Sequence, residues 1–360
     1  MNLPFNIDLK AATRLTRLGK LDEAVAAIRT ALGVGAAELK VSLTPDFVAP
    51  ALDVKPRADP RPPAPKPSPQ PKTRPSPGGR FTEATYVGAT GQRGYKLYVP
   101  AAFDGQAMPL VVMLHGCTQS PDDFAAGTRM NDLAEAHGFF VAYPAQAAAA
   151  NPSRCWNWFN AADQQRDKGE PALIAGLTHE IMARCPVDAK RVFIAGLSAG
   201  GAAAAVMGQA YPELYTAVGV HSGLACGAAR DFASAFRAMQ QGGQGRAETQ
   251  VFRPTIVFHG DGDATVHPMN GGHVIDQARH AVRLKTLTET GKAGGRSYTR
   301  VTEIDEKGTP RLEQWTIHGA GHAWSGGSPV GSYTDANGPD ASYEMIRFFL
   351  DLTRFETGPH

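Results

Sequence analysis

Short apolar runs punctuate the chain at the spacing of buried strands. Leu110 to Leu114, Phe139 to Tyr143, Arg191 to Ala195, Ala217 to His221 and Thr255 to His259 each read as a strand. Between and after them the pattern turns helical, through Asn131 to His137, around Leu173 to Ala183, in the small residues after Ser198, from Val274, and in Met345 to Leu352. The runs Val111-Val112-Met113-Leu114 and Thr255-Ile256-Val257-Phe258 show no polar alternation, which suits strands covered on both faces. Strands that alternate with helices predict a mostly parallel central sheet with helices on both faces. Gly94 to Val99 is a candidate antiparallel strand ahead of this set, and Glu313 to Ile317 a further strand behind it.

The N-terminal part reads differently. Within residues 6 to 33, Leu15 and Leu18 mark one short helix and Leu21, Val25, Ile28 and Leu32 a second, with Gly19 between them and Gly33 and Gly35 as stops. A single hairpin of this kind cannot bury its own apolar face. It is therefore either a weakly ordered appendage or a docking element for the main domain, another protein or a polymer. Proline dominates from Pro45 to Gly79, which predicts an extended, semi-rigid spacer. The expected organisation is a helical hairpin over 1–40, a linker over 41–80 and an α/β domain over 81–357.

Charge and composition narrow the function classes. Hydrophobic residues make up 42% of the chain, enough for a large core. The net charge of +2 is uneven: residues 51–80 hold seven Lys or Arg against two Asp, +5 net, which leaves −3 for the remainder. No folded basic face for nucleic acid emerges from that distribution. No run nears the roughly 18 apolar residues that span a bilayer. Charged residues from Asp8 to Glu23 also interrupt any secretory apolar core, which makes the cytoplasm the expected location. The four cysteines, Cys117, Cys155, Cys185 and Cys226, lack zinc-ligand spacing, so no metal is expected.

The sharpest chemical signal is Gly196-Leu197-Ser198-Ala199-Gly200, directly after a strand and before a helix. This is the Gly-x-Ser-x-Gly nucleophile elbow in its strand-turn-helix setting, and it predicts the α/β-hydrolase fold. A serine hydroxyl is a weak nucleophile until a base takes its proton, so a histidine partner is required. In such folds an acid and then a histidine follow the serine along the chain. The loop after Thr255 to His259 offers Asp263 as the acid, with Asp261 as the alternative. The glycine-flanked His322 in His318-Gly319-Ala320-Gly321-His322 supplies the base, while His221, His267 and His318 read as structural. The amides of Cys117, after the strand ending at Leu114, and of Ala199, after the nucleophile, are the expected oxyanion donors.

Five ordered motifs carry a resemblance. His115-Gly116-Cys117-Thr118-Gln119, Cys155-Trp156-Asn157-Trp158, Gly196 to Gly201, His221-Ser222-Gly223 and Gly321 to Gly327 together resemble the polyhydroxybutyrate (PHB) depolymerase family of esterases, close to feruloyl and acetylxylan esterases. The resemblance spans about Phe81 to Phe355. It implies a triad of Ser198, Asp263 and His322, ester hydrolysis through an acyl-enzyme and no cofactor. It also implies a disulfide between Cys117 and Cys155, as in secreted relatives, which conflicts with a cytoplasmic location. Trp324, Trp158 and His115 are the candidate substrate contacts, with core packing an equal reading for Trp156 and Trp158. A serine peptidase of the same fold and a non-catalytic polymer-binding protein remain as alternatives.

Overall fold

The computed structural model describes residues 78–245, 252–279 and 283–356. The two N-terminal helices, the hairpin over 1–40 and nearly all of the proline-rich linker lie outside the described residues.

Ten strands form one sheet: β1 (Arg80–Gly88), β2 (Gly91–Val99), β3 (Met108–Leu114), β4 (Phe140–Pro144), β5 (Val187–Leu197), β6 (Ala217–His221), β7 (Thr255–Gly260), β8 (Lys285–Ala293), β9 (Arg296–Ile304) and β10 (Pro310–Ile317). Their spatial order is β1-β2-β4-β3-β5-β6-β7-β10-β9-β8. The six central strands from β4 to β10 pair in parallel, and antiparallel pairs close both sides. The sheet is therefore mostly parallel at its centre.

The apolar runs occupy the middle because parallel strands are covered twice. Successive residues of one strand point to opposite faces. Val111, Met113, Val141, Tyr143, Phe193, Ile256 and Phe258 pack on one face beneath α1 (Pro121–Thr128), α2 (Met130–His137) and α7 (Ala341–Glu356). Leu110, Val112, Phe140, Ile194, Val220 and Val257 pack on the other against α3 (Gly169–Arg184), α4 (Ala199–Ala210) and α6 (Met269–Arg279). A shorter helix, α5 (Phe232–Gln241), follows β6.

Five of these elements have no counterpart in the sequence reading. In β8 nearly every side chain is exposed, so no apolar face marks it, and β1 and β9 are edge-side strands with largely polar sequences. The helices α1 and α5 are short, and their signals lie in caps: Ser120 accepts from the Asp123 amide, and Asp231 forms a capping box with Ser234.

Because β3, β5, β7 and β10 run in parallel, the loops that leave them emerge at one rim of the sheet. Those loops carry His115 to Gln119, Ser198, Asp263 and His322. In open α/β sheets ligands bind beyond the carboxyl ends of the strands. Among the described residues no helix is long and apolar enough to cross a membrane.

Candidate active site

Ser198 joins the last residue of β5 to the first of α4 with φ 57° and ψ −120°. A side chain in this conformation is strained, at a cost of about 1–3 kcal/mol. The neighbouring glycines make the turn sterically accessible. A Cβ on Gly200 would sit 2.1 Å from the Leu114 oxygen, and one on Gly196 would sit 2.4 Å from the Gly200 oxygen. The Ser198 amide donates to the His221 carbonyl at 2.9 Å, which anchors the elbow to β6.

Asp263 lies on the loop after β7 with its carboxylate fully buried. Its Oδ1 accepts from the amides of Thr265 (2.9 Å) and Val266 (2.8 Å). Its Oδ2 lies 2.7 Å from His322 Nδ1 and 3.4 Å from His259 Nε2. Burial pushes the carboxyl up, but hydrogen bonds from His259 and His322, with the His322 charge and the Val266 amide, outweigh it and hold the group far below the usual carboxylate range. Asp261 points elsewhere: its carboxylate meets His318 Nδ1 at 2.8 Å and the Gly319 amide at 2.6 Å, in an exposed position. The loop thus turns its two aspartates to different histidines.

Asp263 and His322 are joined; Ser198 is brought to the same rim. Among the described residues no hydrogen bond links Ser198 Oγ to His322. His221 connects the two sides, since its carbonyl holds the Ser198 amide and its Nε2 accepts from the Ser325 amide at 3.0 Å. Burial, followed by the nearby His259 and His322, pushes the His221 pKa down to about 3, so the ring stays neutral.

The loop after β3 lies against the elbow: a Cβ on Gly116 would stand 3.6 Å from the Leu197 oxygen. Among the described residues no hydrogen bond is seen from the amides of Cys117 and Ala199. A disulfide joins Cys117 to Cys155, and the Gln119 side chain ties the loop to Asp123 and Ser332.

The family model of esterase PHB depolymerases matches residues 93–301, which include Ser198 and Asp263. The chain belongs to that family. The poly(3-hydroxyalkanoate) depolymerase C of Paucimonas lemoignei is 31% identical to this esterase-family chain over 253 residues, covering 67% of the chain and 59% of that protein. The chain thus spans less than two thirds of that relative's length. The feruloyl esterase B of Neurospora crassa is 26% identical over 232 residues, 59% of the chain and 77% of the relative. Among solved structures, the acetyl xylan esterase from Aspergillus awamori aligns with a TM-score of 0.59 at 21% identity, over 76% of this chain and 100% of that one. The fold is that of the α/β-hydrolases.

Within this PHB depolymerase-family domain, the three expected substrate contacts are buried side chains. Trp324 is 1% exposed. Its indole stacks on His221 at 5.0 Å, meets Phe124 edge-on at 5.4 Å and donates to Ser342 Oγ at 3.0 Å. The short strand β11 (Trp324–Ser325), paired with β12 (Thr334–Asp335), turns that ring into the core. Trp158 is 6% exposed and packs edge-on against Phe159. His115, at 1%, also lies beneath the surface.

Two contributors escaped the sequence reading. His259, at the end of β7, donates to the Val266 carbonyl at 2.8 Å and also lies 3.4 Å from Asp263 Oδ2, the oxygen that His322 meets. Gln119 holds the Gly116 amide at 2.9 Å. Gln119 closes the first of the quoted motifs and His259 ends an expected strand, and neither position by itself assigns a role.

Proposed function

We propose that this chain hydrolyses carboxylic esters, with Ser198 as nucleophile, His322 as general base and acid, and Asp263 as the group that orients the imidazole. The observation that carries the reading is the 2.7 Å bond between His322 Nδ1 and the buried Asp263 carboxylate, at the rim where the strained elbow presents Ser198. With Nδ1–H committed to Asp263, Nε2 is the nitrogen free to take the Ser198 proton. The serine oxygen then adds to the ester carbonyl, and the amides of Cys117 and Ala199 receive the oxyanion. Collapse expels the alcohol, protonated by His322, and leaves an acyl-serine. Water, deprotonated by His322, attacks that acyl group and releases the acid with Ser198 restored. Each proton moves through His322, so the cycle needs no cofactor.

The matched relatives favour hydroxyalkanoate, feruloyl or acetyl esters as the substrate class. The test is hydrolysis of p-nitrophenyl butyrate, hydroxybutyrate trimers, methyl ferulate and acetylated xylan by wild type and by Ser198→Ala. The reading expects turnover of at least one ester, lost in the variant. Turnover that survives Ser198→Ala, or a folded wild type inert on the whole panel, refutes it.

A further inference from the structure

His115 is buried, and both nitrogens of its ring are engaged. Its Nδ1 lies 2.7 Å from the Gly116 oxygen, and its Nε2 accepts the Gln146 amide at 3.1 Å. A carbonyl only accepts and an amide only donates, so these partners assign one neutral tautomer, with the proton on Nδ1. The His115 carbonyl accepts from Trp156 Nε1 at 3.0 Å, and the Trp156 ring packs beside the imidazole at 5.7 Å. Burial pushes the ring's pKa down to about 4, so the tautomer holds across the neutral range.

The oxygen that His115 grips belongs to the Gly116–Cys117 peptide. That unit is planar and trans, so its C=O and N–H point in opposite directions, and anchoring the oxygen aims the Cys117 N–H. A hydrogen bond into the carbonyl also polarises the unit and strengthens its N–H as a donor. The Gln119 amide adds a second, longer bond to the same oxygen at 3.3 Å, and the Gln119 side chain holds the Gly116 amide on the other side.

We propose that His115 is a positioning residue for the oxyanion hole, in which its Nδ1–H, bonded to the Gly116 oxygen, orients and polarises the peptide whose N–H at Cys117 receives the developing charge. The inference rests on the proposed ester hydrolysis and its assignment of the Cys117 amide. It makes His115 act on the transition state through one peptide bond, without touching the substrate.

The experiment compares wild type, His115→Asn and His115→Gln in the full chain. An asparagine amide nitrogen superposes on Nδ1, whereas a glutamine amide superposes on Nε2. His115→Gln is expected to lose about 10- to 100-fold in kcat with KM little changed, short of the roughly 100- to 1000-fold cost of deleting an oxyanion donor. The affinity for phenylboronic acid, whose tetrahedral adduct on Ser198 occupies the hole, falls in step. His115→Asn recovers most of that loss. Equal losses in both variants that track their melting temperatures, or full kcat in His115→Gln, overturn the proposal. The wild-type imidazole ¹⁵N spectrum tests it without any variant: Nδ1 protonated and Nε2 bare at neutral pH is expected, and the reverse tautomer overturns it. A wild type without Ser198-dependent turnover defeats the hydrolase reading itself and the inference with it, a result distinct from an active wild type whose His115 variants fail the pattern.

Discussion

Replacing Asp263 by asparagine isolates the orienting carboxylate with almost no change in shape. The consequence follows from the partners. Oδ1 accepts two backbone amides, from Thr265 and Val266, so the asparagine carbonyl must occupy that place. Its NH2 then stands where Oδ2 was, 2.7 Å from His322 Nδ1. His259 Nε2 carries a proton that it shares between the Val266 carbonyl at 2.8 Å and Oδ2 at 3.4 Å, so it is a donor and cannot serve the new NH2, which leaves only His322. The imidazole must offer Nδ1 as an acceptor and carry its proton on Nε2, the nitrogen meant to receive the Ser198 proton. Loss of the tautomer in triad enzymes costs about 10⁴-fold in kcat, roughly 5.5 kcal/mol in the barrier. Asp261→Asn is the matched control. Its oxygen can keep the Gly319 amide while its NH2 meets His318 Nδ1 in an exposed setting, and surface substitutions of that kind change stability by no more than about 0.5 kcal/mol, so turnover is expected to stay near wild type. The assay is kcat/KM on p-nitrophenyl butyrate at pH 8, with melting temperatures to confirm folding. Near-normal turnover by Asp263→Asn together with an inactive Asp261→Asn refutes the reasoning.

Three further outcomes are expected. The buried rings of His115 and His221 titrate at about 4 and about 3, below the unfolded value near 6.5. The unfolded chain therefore binds more protons in that interval, so their contribution to stability is present above pH 6.5 and falls away on acidification, by about 2 kcal/mol each at pH 5. Buried Glu170, whose pKa burial raises, works in the opposite direction. Urea unfolding at pH 7.5 and 5.0 should therefore show a loss that shrinks in His221→Asn, and an unchanged pH slope in that variant contradicts the assignment. Reduction of Cys117–Cys155, which closes a 38-residue separation, should cost about 4 kcal/mol of stability in the chain-entropy account, read as a lower urea midpoint. An unshifted midpoint after complete reduction would discount the crosslink. Trp324→Phe removes the bond to Ser342 inside the core and should lower stability by about 1–3 kcal/mol with KM unchanged. A raised KM with intact stability would return Trp324 to the pocket.

The central sheet was legible because strands covered on both faces cannot hide their apolar runs, as in Val111 to Leu114 and Ile256 to Phe258. The antiparallel flank was not, because β8 places Thr, Lys and Glu on both sides at an exposed edge and leaves no period to read. At the site, chain order and glycine spacing singled out Ser198, Asp263 and His322 with Asp261 in reserve. Which aspartate faces which histidine is a property of how the loop turns, two residues apart, and no composition encodes it. Tryptophan is ambiguous for a related reason: an indole beside a base suits a pocket and a core equally, and the burial of Trp324 goes with its pairing to Thr334 across the β11–β12 bridge, a contact the sequence does not show. The tie that His221 makes between the elbow and the His322 loop is likewise long-range, 104 residues apart along the chain.

The central claim is that Ser198 is a nucleophile activated by His322. Its most direct measurement is intact-protein and peptide mass spectrometry after treatment with a fluorophosphonate. The account predicts a single stoichiometric adduct on Ser198 that is absent in Ser198→Ala and slowed by orders of magnitude in His322→Ala. An adduct on another residue, or labelling of Ser198 at an undiminished rate in His322→Ala, contradicts it.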